Sequence, residues 1–539
     1  MSLRFDYAAP YPSARLPGFF DNVVATSHPI AAQAGVRMLQ LGGNAVDAAI
    51  AAAAALTIAE PVSNGLGSDA FCILWDGQQL HGLNASGPAP QAWTPEYFRR
   101  RHGPDATTPP KRGIDSVTVP GAVAAWQALH ARFGRLPFPE LMQPAIELAE
   151  RGYRVPPVVQ QKWRAGAGEL ASQPGFATAF MPRGRAPEVG ERYVFPAAAR
   201  ALRAIAASRG EDFYRGEIAQ ALAAFSREHG GAMTEADLAA YRPEWVEPLA
   251  QGYRGHTLHE IPPNGQGIAA QMALGMLEHF DLASMAVDSA EHQHIQIEAM
   301  KLAFADVYRH VADPASMHVD ARQMLDGDYL AARARLIDRQ RAQVFGAGNL
   351  VRGGTVYLTA ADAGGMMVSF IQSNYMGFGS GCVEPTFGIS LQNRGHGFSL
   401  DAASPNCVRP GARPFHTIIP AFLTKDGRPV MSFGVMGGNM QPQGHMQTLV
   451  RMLDHAQNPQ AACDAPRWRF NQGLDINVEA AMAPATVAGL QQLGHRITTI
   501  DDPYQDFGAG QFIWRMDDDA TGGYLAASDP RRDGHAAGW

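Results

Sequence analysis

The hydrophobic pattern divides the chain into a helix-rich first part and a strand-rich last third. Apolar residues recur at helical spacing over 123–132, 139–151, 197–207, 218–229 and 292–308. Apolar runs rich in β-branched and aromatic residues predict strands at 355–361, 366–373, 417–424, 430–435 and 511–516. This distribution favours mixed α/β packing, in which helices cover the sheets.

Two helices and a hairpin are also predicted near the start of the chain. The first helix spans 29–41, and the second follows an N-cap at Asn44 and continues to Ala59. The second helix is rich in alanine, so we expect it to pack closely against neighbours on most faces. Segments 70–75 and 80–84 then predict the hairpin.

Composition and charge exclude several classes of protein. The 539 residues are 46% hydrophobic, which is enough for a large core, and the net charge of −7 comes without any basic block. We therefore expect no nucleic-acid partner. The most apolar stretch, 48–59, is too short to cross a bilayer, and the first residues do not resemble a secretory signal. These features favour a cytoplasmic protein that does not bind membranes.

The four cysteines show no CxxC spacing, and the chain contains no HExxH, Walker or GxSxG motif. His292 and His294 are two positions apart and so face opposite sides of a predicted helix. None of these patterns indicates a metal site or a cofactor.

The segment around Thr355 suggests a different chemistry. Residues 340–354 read as an exposed linker that ends in two glycines, and Thr355 opens the strand that follows. Because Gly354 has no side chain, its carbonyl can be strained toward attack by the Thr355 hydroxyl. Cleavage there would release an α-amine that serves as general base for the same hydroxyl. Taken alone, the segment also fits an ordinary strand threonine after a linker.

Motifs elsewhere in the chain decide between these readings. They occur in order at 42–49 (GGNAVDAA), 60–61 (EP), 65–67 (GLG), 262–267 (PPNGQG), 298–306 (EAMKLAFAD), 378–381 (FGSG), 413–414 (RP), 437–438 (GG) and 528–534 (SDPRRDG). With these motifs over nearly its whole length, the chain resembles the γ-glutamyltransferase family of N-terminal-nucleophile hydrolases.

The resemblance implies a four-layer αββα sandwich made of a large fragment, 1–354, and a small fragment, 355–539. It implies cleavage between Gly354 and Thr355, with Thr355 as nucleophile and Ser373 as a second hydroxyl beside it. Gly437 and Gly438 correspond to the oxyanion-hole glycines, and their place between a strand and a helix suits that role. The two fragments are expected to stay associated, and a dimer of such heterodimers is compatible with the family. Nucleophile, base and oxyanion donors all come from the chain, so we expect no cofactor or metal.

Several positions depart from a true γ-glutamyltransferase. Arg394 and Gly397 stand where the family has the glutamine and aspartate that bind the substrate's α-amino group. Ser86 stands where an arginine grips the glutamyl carboxylate, and Tyr375 replaces a substrate-binding asparagine. The family's serine pair is His416-Thr417 here. An α-ammonium would therefore meet a positive charge with no counter-charge.

The change at Arg394 predicts the substrate class. A guanidinium in that pocket can hold a carboxylate through two hydrogen bonds. The sequence is most similar to the oxamate-amidohydrolase and cytoplasmic branch, which implies hydrolysis of a small carboxylate-bearing amide through an acyl-enzyme on Thr355. Three alternatives remain: a γ-glutamyl hydrolase or transferase, a cephalosporin or glutaryl acylase, and an uncleaved non-catalytic homologue. The intact Thr355 and glycine pair argue against the last.

Overall fold

The computed structural model describes residues 11, 15–345, 354–502, 506–516 and 522–539. The strands before Thr355 are β1 Gly18–Phe20, β2 Val23–Thr26, β3 Asp69–Trp75, β4 Leu80–Ala85, β5 Tyr153–Arg154, β6 Arg192–Tyr193, β7 Glu244–Val246, β8 Leu249–Tyr253 and β9 His256–Glu260. The later strands are β10 Gly354–Ala361, β11 Met367–Tyr375, β12 Val383–Glu384, β13 Ile389–Ser390, β14 Ala421–Lys425, β15 Arg428–Met436, β16 Trp468–Gln472, β17 Asp475–Glu479, β18 Arg496–Ile500, β19 Ala509–Arg515, β20 Tyr524–Ser528 and β21 His535–Gly538.

Most helices lie in the first part of the chain, as the pattern predicts. They are α1 Pro29–Gln40, α2 Ala45–Ala59, α3 Pro95–His102, α4 Ala122–Phe133, α5 Phe138–Arg151, α6 Pro157–Leu170, α7 Phe176–Phe180, α8 Pro196–Ser208, α9 Glu211–Arg215, α10 Glu217–Glu228, α11 Glu235–Ala240, α12 Ile268–Leu277, α13 Ala290–His310, α14 Ala321–Met324 and α15 Gly327–Ala334. Helices α16 Met440–Leu453, α17 Pro459–Asp464 and α18 Pro484–Gln492 follow, and short 3₁₀ turns span Ile114–Ser116, Pro314–Ser316 and Arg394–Gly397.

Two seven-stranded antiparallel sheets form the centre of the molecule. One has the order β1-β20-β19-β15-β14-β9-β8, and the other has the order β21-β2-β10-β11-β3-β4-β7. Alternate residues of β10 face opposite layers: Val356, Leu358 and Ala360 pack into a core with the first helices, whereas Tyr357 and Ala361 pack between the sheets. A third core joins the outer face of the other sheet to α12, α13 and α16. The layers are therefore helix, sheet, sheet, helix, which confirms the predicted αββα sandwich.

Helix α2 illustrates how the sequence specifies this packing. The Asn44 side chain accepts a hydrogen bond from the Asp47 N–H, and the Asp47 carboxylate accepts one from the Asn44 N–H, so a reciprocal capping box begins the helix. Every residue of α2 is buried. Its neighbour α1 approaches closely because Gly35 lacks a side chain: an added Cβ would lie 2.9 Å from the carbonyl oxygen of Ala48.

Both sheets contain strands from either side of Thr355. In the sheet that carries β10 and β11, the strands β2, β3 and β4 come from before residue 354. The predicted fragments 1–354 and 355–539 are thus interleaved rather than being separate globular units, because each completes the other's sheets.

The observed elements differ from the predicted ones in a few places. The strand predicted at 417–424 begins only at Ala421. Just before the predicted start, His416 pairs with Gly265 in an isolated bridge rather than with a strand of the sheet. The helix expected after the glycine pair begins at Met440. Most of the predicted linker, 346–353, lies outside the described residues. Within the described ranges, no helix combines the length and apolar character that crossing a membrane requires.

The contact between the two sheets gives a test of the fold. A Cβ added at Gly434 of β15 would lie 2.5 Å from Cε2 of Tyr357 in the facing sheet. We expect Gly434→Ala to lower the free energy of unfolding by about 1–3 kcal/mol through overpacking. Gly252→Ala, at an exposed strand glycine whose Cβ would meet nothing within 4 Å, is the control. Denaturant unfolding of both variants measures the difference, and equal stabilities would contradict the inter-sheet packing.

Candidate active site

Thr355 lies at the start of β10, where the strand ladder is irregular. The register with β11 shifts between Gly354 and Val356, so Thr355 occupies a β-bulge, a feature that redirects a side chain. Its side chain follows the alternation of Tyr357 and Thr359, which face the second sheet. Thr355 is 1% exposed in the intact chain.

The facing strand places the glycine pair opposite this threonine. Thr359 Oγ1 lies 2.6 Å from Ser432 Oγ, and Tyr357 packs over Gly434. Two residues further along each strand, the same alternation leads to Thr355 and to Met436. Met436 is the last residue of β15 and directly precedes Gly437. The nucleophile candidate and the oxyanion candidates therefore meet at one end of the inter-sheet layer.

Ser373 lies beside the candidate nucleophile, as the sequence predicts. Its Oγ lies 3.1 Å from Thr355 Oγ1 and accepts a hydrogen bond of 2.8 Å from the Tyr375 N–H. Tyr375 adopts a φ of 76°, a left-handed conformation that costs a non-glycine residue energy and often marks functional sites. This backbone turn fixes the serine oxygen against the threonine.

The glycine pair forms a donor site between β15 and α16. Gly437 and Gly438 have φ values of 133° and 61°, which favour glycine. A Cβ on Gly437 would also lie 2.9 Å from Cα of Gly508. Among the described residues, neither glycine N–H has a hydrogen-bond acceptor. Two free backbone donors at a helix N-terminus are suited to stabilise a developing oxyanion.

Gln266 ties this loop to a second polar group. Its Nε2 donates to the carbonyl of Gly438 at 2.9 Å and to the carbonyl of Thr417 at 2.6 Å. Gln266 is fully buried, so both hydrogen bonds form without competition from water. In the sequence, Gln266 stands out only as part of the motif at 262–267, and nothing in that pattern indicates this role.

Arg394 is fully buried and lies at the same site. Its guanidinium carbon sits 4.2 Å from the centre of the Tyr375 ring, and Nη1 donates to Thr417 Oγ1 at 2.9 Å. Among the described residues, neither Nε nor Nη2 has a hydrogen-bond acceptor. Buried guanidinium groups normally satisfy their donors, so an Nη2 without an acceptor next to Tyr375 and Thr417 is a candidate place for a ligand oxygen.

Asp69 supplies a counter-charge that the sequence analysis does not anticipate. Its Oδ2 lies 3.6 Å from Arg394 Nε and 3.0 Å from His416 Nε2, and its Oδ1 accepts from the Gly87 N–H. Burial raises the pKa of the Asp69 carboxyl to about 7, although Arg394 opposes the shift. Burial also lowers the pKa of Arg394 to about 10 and holds the pKa of His416 well below its usual value.

These contacts correct the expectation that the pocket lacks a carboxylate. Asp69 is fully buried and committed to Arg394 and His416 rather than free to receive an ammonium. Ser86 is buried as well; it bonds Asn84 and Asn264 and directly precedes Gly87. The four residues predicted to bind substrate, Arg394, Tyr375, His416 and Thr417, therefore form one connected group.

Possible metal ligands occur together elsewhere, between α13 and the segment before β18. His294, Glu298 and His495 lie close to one another, and His294 Nδ1 is 2.8 Å from His495 Nε2. The Lys301 ammonium, however, donates to Glu298 at 2.7 Å and lies 3.5 Å from His495 Nδ1. This ammonium occupies the position that a cation would take, so the cluster forms a closed hydrogen-bonded network. The expectation of no metal stays a prediction.

The fold and the arrangement around Thr355 define the class of protein. An αββα sandwich with this organisation is the fold of N-terminal-nucleophile hydrolases. The sequence profile of the gamma-glutamyltranspeptidase family matches residues 31–539, and the chain belongs to that family. It is a hydrolase.

Relatives with several activities share the full length. A glutathione hydrolase-like YwrD proenzyme of Bacillus subtilis is 35% identical over 525 residues, covering 96% of this chain and 98% of the relative. An oxamate amidohydrolase proenzyme of Klebsiella pneumoniae is 37% identical over 530 residues, covering 95% and 97%. The crystal structure of a cephalosporin acylase from Bacillus halodurans superimposes with a TM-score of 0.93 at 47% identity, covering 99% and 98%.

The link through Gln266 gives a test of the site. Gln266→Ala removes the side-chain donor to the buried Thr417 carbonyl and one of the two donors to the Gly438 carbonyl, so we expect stability to fall by about 1–3 kcal/mol and hydrolase activity to fall with it. Gln271→Ala is the matched control, because Gln271 is also buried and bridges two backbone carbonyls, those of Leu249 and Leu258. We expect that variant to lose stability but keep its turnover per folded molecule. Equal turnover in the two folded variants would show that Gln266 has no role at the site.

Proposed function

We propose that the protein is a self-cleaving threonine amidase that hydrolyses a small carboxylate-bearing amide, of which oxamate is the simplest. The observation that carries this proposal is the buried Arg394, whose Nη2 has no acceptor among the described residues and which stacks on Tyr375. Tyr375 is two residues from Ser373, the neighbour of Thr355. A carboxylate bound at Nη2 would hold an adjacent amide close to the threonine hydroxyl.

Self-cleavage is the first step of the proposed mechanism. Thr355 Oγ attacks the carbonyl carbon of Gly354, the peptide C–N bond breaks, and the nitrogen takes up the proton of the hydroxyl to become the new α-amine of Thr355. Water then hydrolyses the ester between the two fragments. Because Thr355 is buried in the intact chain, this step also opens the nucleophile to substrate. The large fragment 1–354 and the small fragment 355–539 stay together, since they share both sheets.

The same groups then hydrolyse the substrate. The α-amine accepts the proton of the Thr355 hydroxyl, whose oxygen attacks the amide carbon. The free N–H groups of Gly437 and Gly438 stabilise the oxyanion, and Ser373 holds the threonine oxygen in place. The amide nitrogen takes this proton from the α-amine and leaves as ammonia. Water then hydrolyses the acyl ester. Every step uses groups of the chain itself.

An acylase activity on longer acids is the second candidate. It is favoured by the 47% identity to the cephalosporin acylase. A glutaryl group carries its carboxylate several bonds from the scissile amide, whereas oxamate carries it on the next carbon. Rates for the monoamides of oxalic, malonic, succinic and glutaric acid therefore separate the two proposals. Fastest cleavage of the shortest acid supports an amidase, and fastest cleavage of the longest supports an acylase.

Cleavage at Thr355 is tested by substitution. We expect the purified protein to give two bands on a denaturing gel, with the small fragment beginning at Thr355. Thr355→Ala should remain a single inactive chain of 57.9 kDa, because it lacks the attacking hydroxyl. Thr359→Ala, on the same strand and the same face, is the control and should be cleaved normally. N-terminal sequencing that begins the small fragment elsewhere would overturn the assignment of the nucleophile.

The role of Arg394 is tested by kinetics. A charge-assisted hydrogen bond contributes about 1.5–3 kcal/mol, so Arg394→Ala should lower kcat/KM for oxamate about ten- to a hundredfold. We expect a much smaller loss for neutral amides, and self-cleavage should persist because it uses only the chain's own peptide. Arg333→Ala removes an arginine paired with Asp306 away from the site and serves as control. Equal losses for charged and neutral amides would contradict a carboxylate pocket.

A further inference from the structure

At pH values above the pKa of Asp69, the Asp69–Arg394 pair is electrically balanced before any substrate binds. Both side chains are fully buried, and one negative charge faces one positive charge. His416 donates from Nε2 to Asp69, and its Nδ1 lies 3.4 Å from the Ile418 N–H. Both ring nitrogens thus have partners that suit a neutral imidazole. A substrate carboxylate at Nη2 would add a second negative charge to this buried group.

Two carboxylates that share one buried guanidinium repel each other strongly. In a low-dielectric site the cost is relieved when one of them takes up a proton. The substrate of the proposed reaction is a strong acid that resists protonation, so the proton must go to a side chain of the protein. The site therefore needs a group that is ready to accept it.

We propose that Asp69 takes up one proton from solvent when a substrate carboxylate binds Arg394, which makes Asp69 a specificity-determining residue for carboxylate recognition. This inference rests on the proposed function, because it requires the carboxylate to bind at Arg394. Asp69 acts by positioning and charge balance and does not touch the scissile bond. Only a proton is transferred in this step, and no bond to carbon forms or breaks.

Among the titratable groups that surround it, Asp69 is the one whose pKa allows it to take up the proton. Arg394 and His416 contact it directly, and Arg413 lowers its pKa from further away. Burial raises the pKa values of Tyr214 and Tyr241, and the charge of Asp69 raises them further, so both phenols stay neutral. The pKa of His416 is lowered, so it does not compete for the proton. The pKa of Asp69 is raised to about 7, within the working range of the protein.

The coupling between proton uptake and substrate binding determines how the affinity changes with pH. Below the pKa of Asp69 in the free protein, about 7, Asp69 already carries its proton and the substrate binds most tightly. Above that value the free protein must gain a proton on binding, so affinity falls by about tenfold per pH unit. The fall stops once the pH exceeds the higher pKa that Asp69 has in the complex.

The test uses pyruvate and the matured protein. Pyruvate carries a methyl group in place of the amide nitrogen of oxamate, so it keeps the carboxylate and offers no bond to hydrolyse. Calorimetric titration at pH 8 in buffers of different ionisation enthalpy counts the protons taken up. Because the α-amine of Thr355 also titrates, infrared difference spectra identify the acceptor: a protonated carboxyl shows a C=O stretch that an amine lacks. Pyruvate labelled with ¹³C at its ketone is used, because the label moves the ketone stretch of the ligand away from that of the carboxyl. We expect about one proton and this stretch to appear on binding.

Asp69→Asn should abolish both signals. The control is Asp306→Asn, which removes a carboxylate of α13 that pairs with Arg333, and it should leave both signals unchanged. If Asp69→Asn does not fold, the wild-type spectra still decide the question. Binding of pyruvate without proton uptake, or without the carboxyl stretch, would overturn this inference and leave the proposed function standing. Failure of pyruvate and oxamate to bind at any pH would instead reject the carboxylate pocket, and the inference with it.

Discussion

The ion pair between Asp69 and Arg394 is the interaction on which the site depends. A guanidinium with no exposure to solvent is stabilised by a neighbouring negative charge, and among the described residues the carboxylate that pairs with it is that of Asp69, 3.6 Å from Nε. The guanidinium also stacks on the Tyr375 ring, and its Nη2 has no acceptor among the described residues. The pair thus accompanies a fully buried Arg394 and leaves Nη2 available for the substrate carboxylate that we propose.

The sandwich brings this pair to the nucleophile through two facing strands. Thr355 is the second residue of β10, and β15 ends just before Gly437; between the sheets the Tyr357 ring packs over Gly434. Gln266 then connects the glycine loop to Thr417, the residue that receives Nη1 of Arg394. One continuous chain of buried contacts thus connects Thr355, the glycine pair and Arg394, which we propose as the attacking group, the oxyanion donors and the carboxylate-binding group.

Local sequence predicts the groups that lie within one segment. The Gly-Thr junction and the glycine pair between a strand and a helix depend on neighbouring residues, and their expected settings agree with the structure. Asp69 could not be predicted in this way, since it meets His416 from 347 positions away in the sequence. Periodicity gives no sign that Arg394 is buried, because arginines are mostly exposed, and only the family resemblance places this residue in the pocket. Contacts between distant segments depend on tertiary packing, which the sequence pattern alone does not specify.

The position of the substrate carboxylate tests the central claim most directly. A crystal structure of the matured protein, frozen during slow turnover of oxamate, would trap the acyl ester. The account predicts an oxalyl ester on Thr355 whose free carboxylate lies within hydrogen-bonding distance of Arg394 Nη2, with the ester carbonyl facing Gly437 and Gly438. An acyl group on any other residue, or a carboxylate directed away from Arg394, would contradict it.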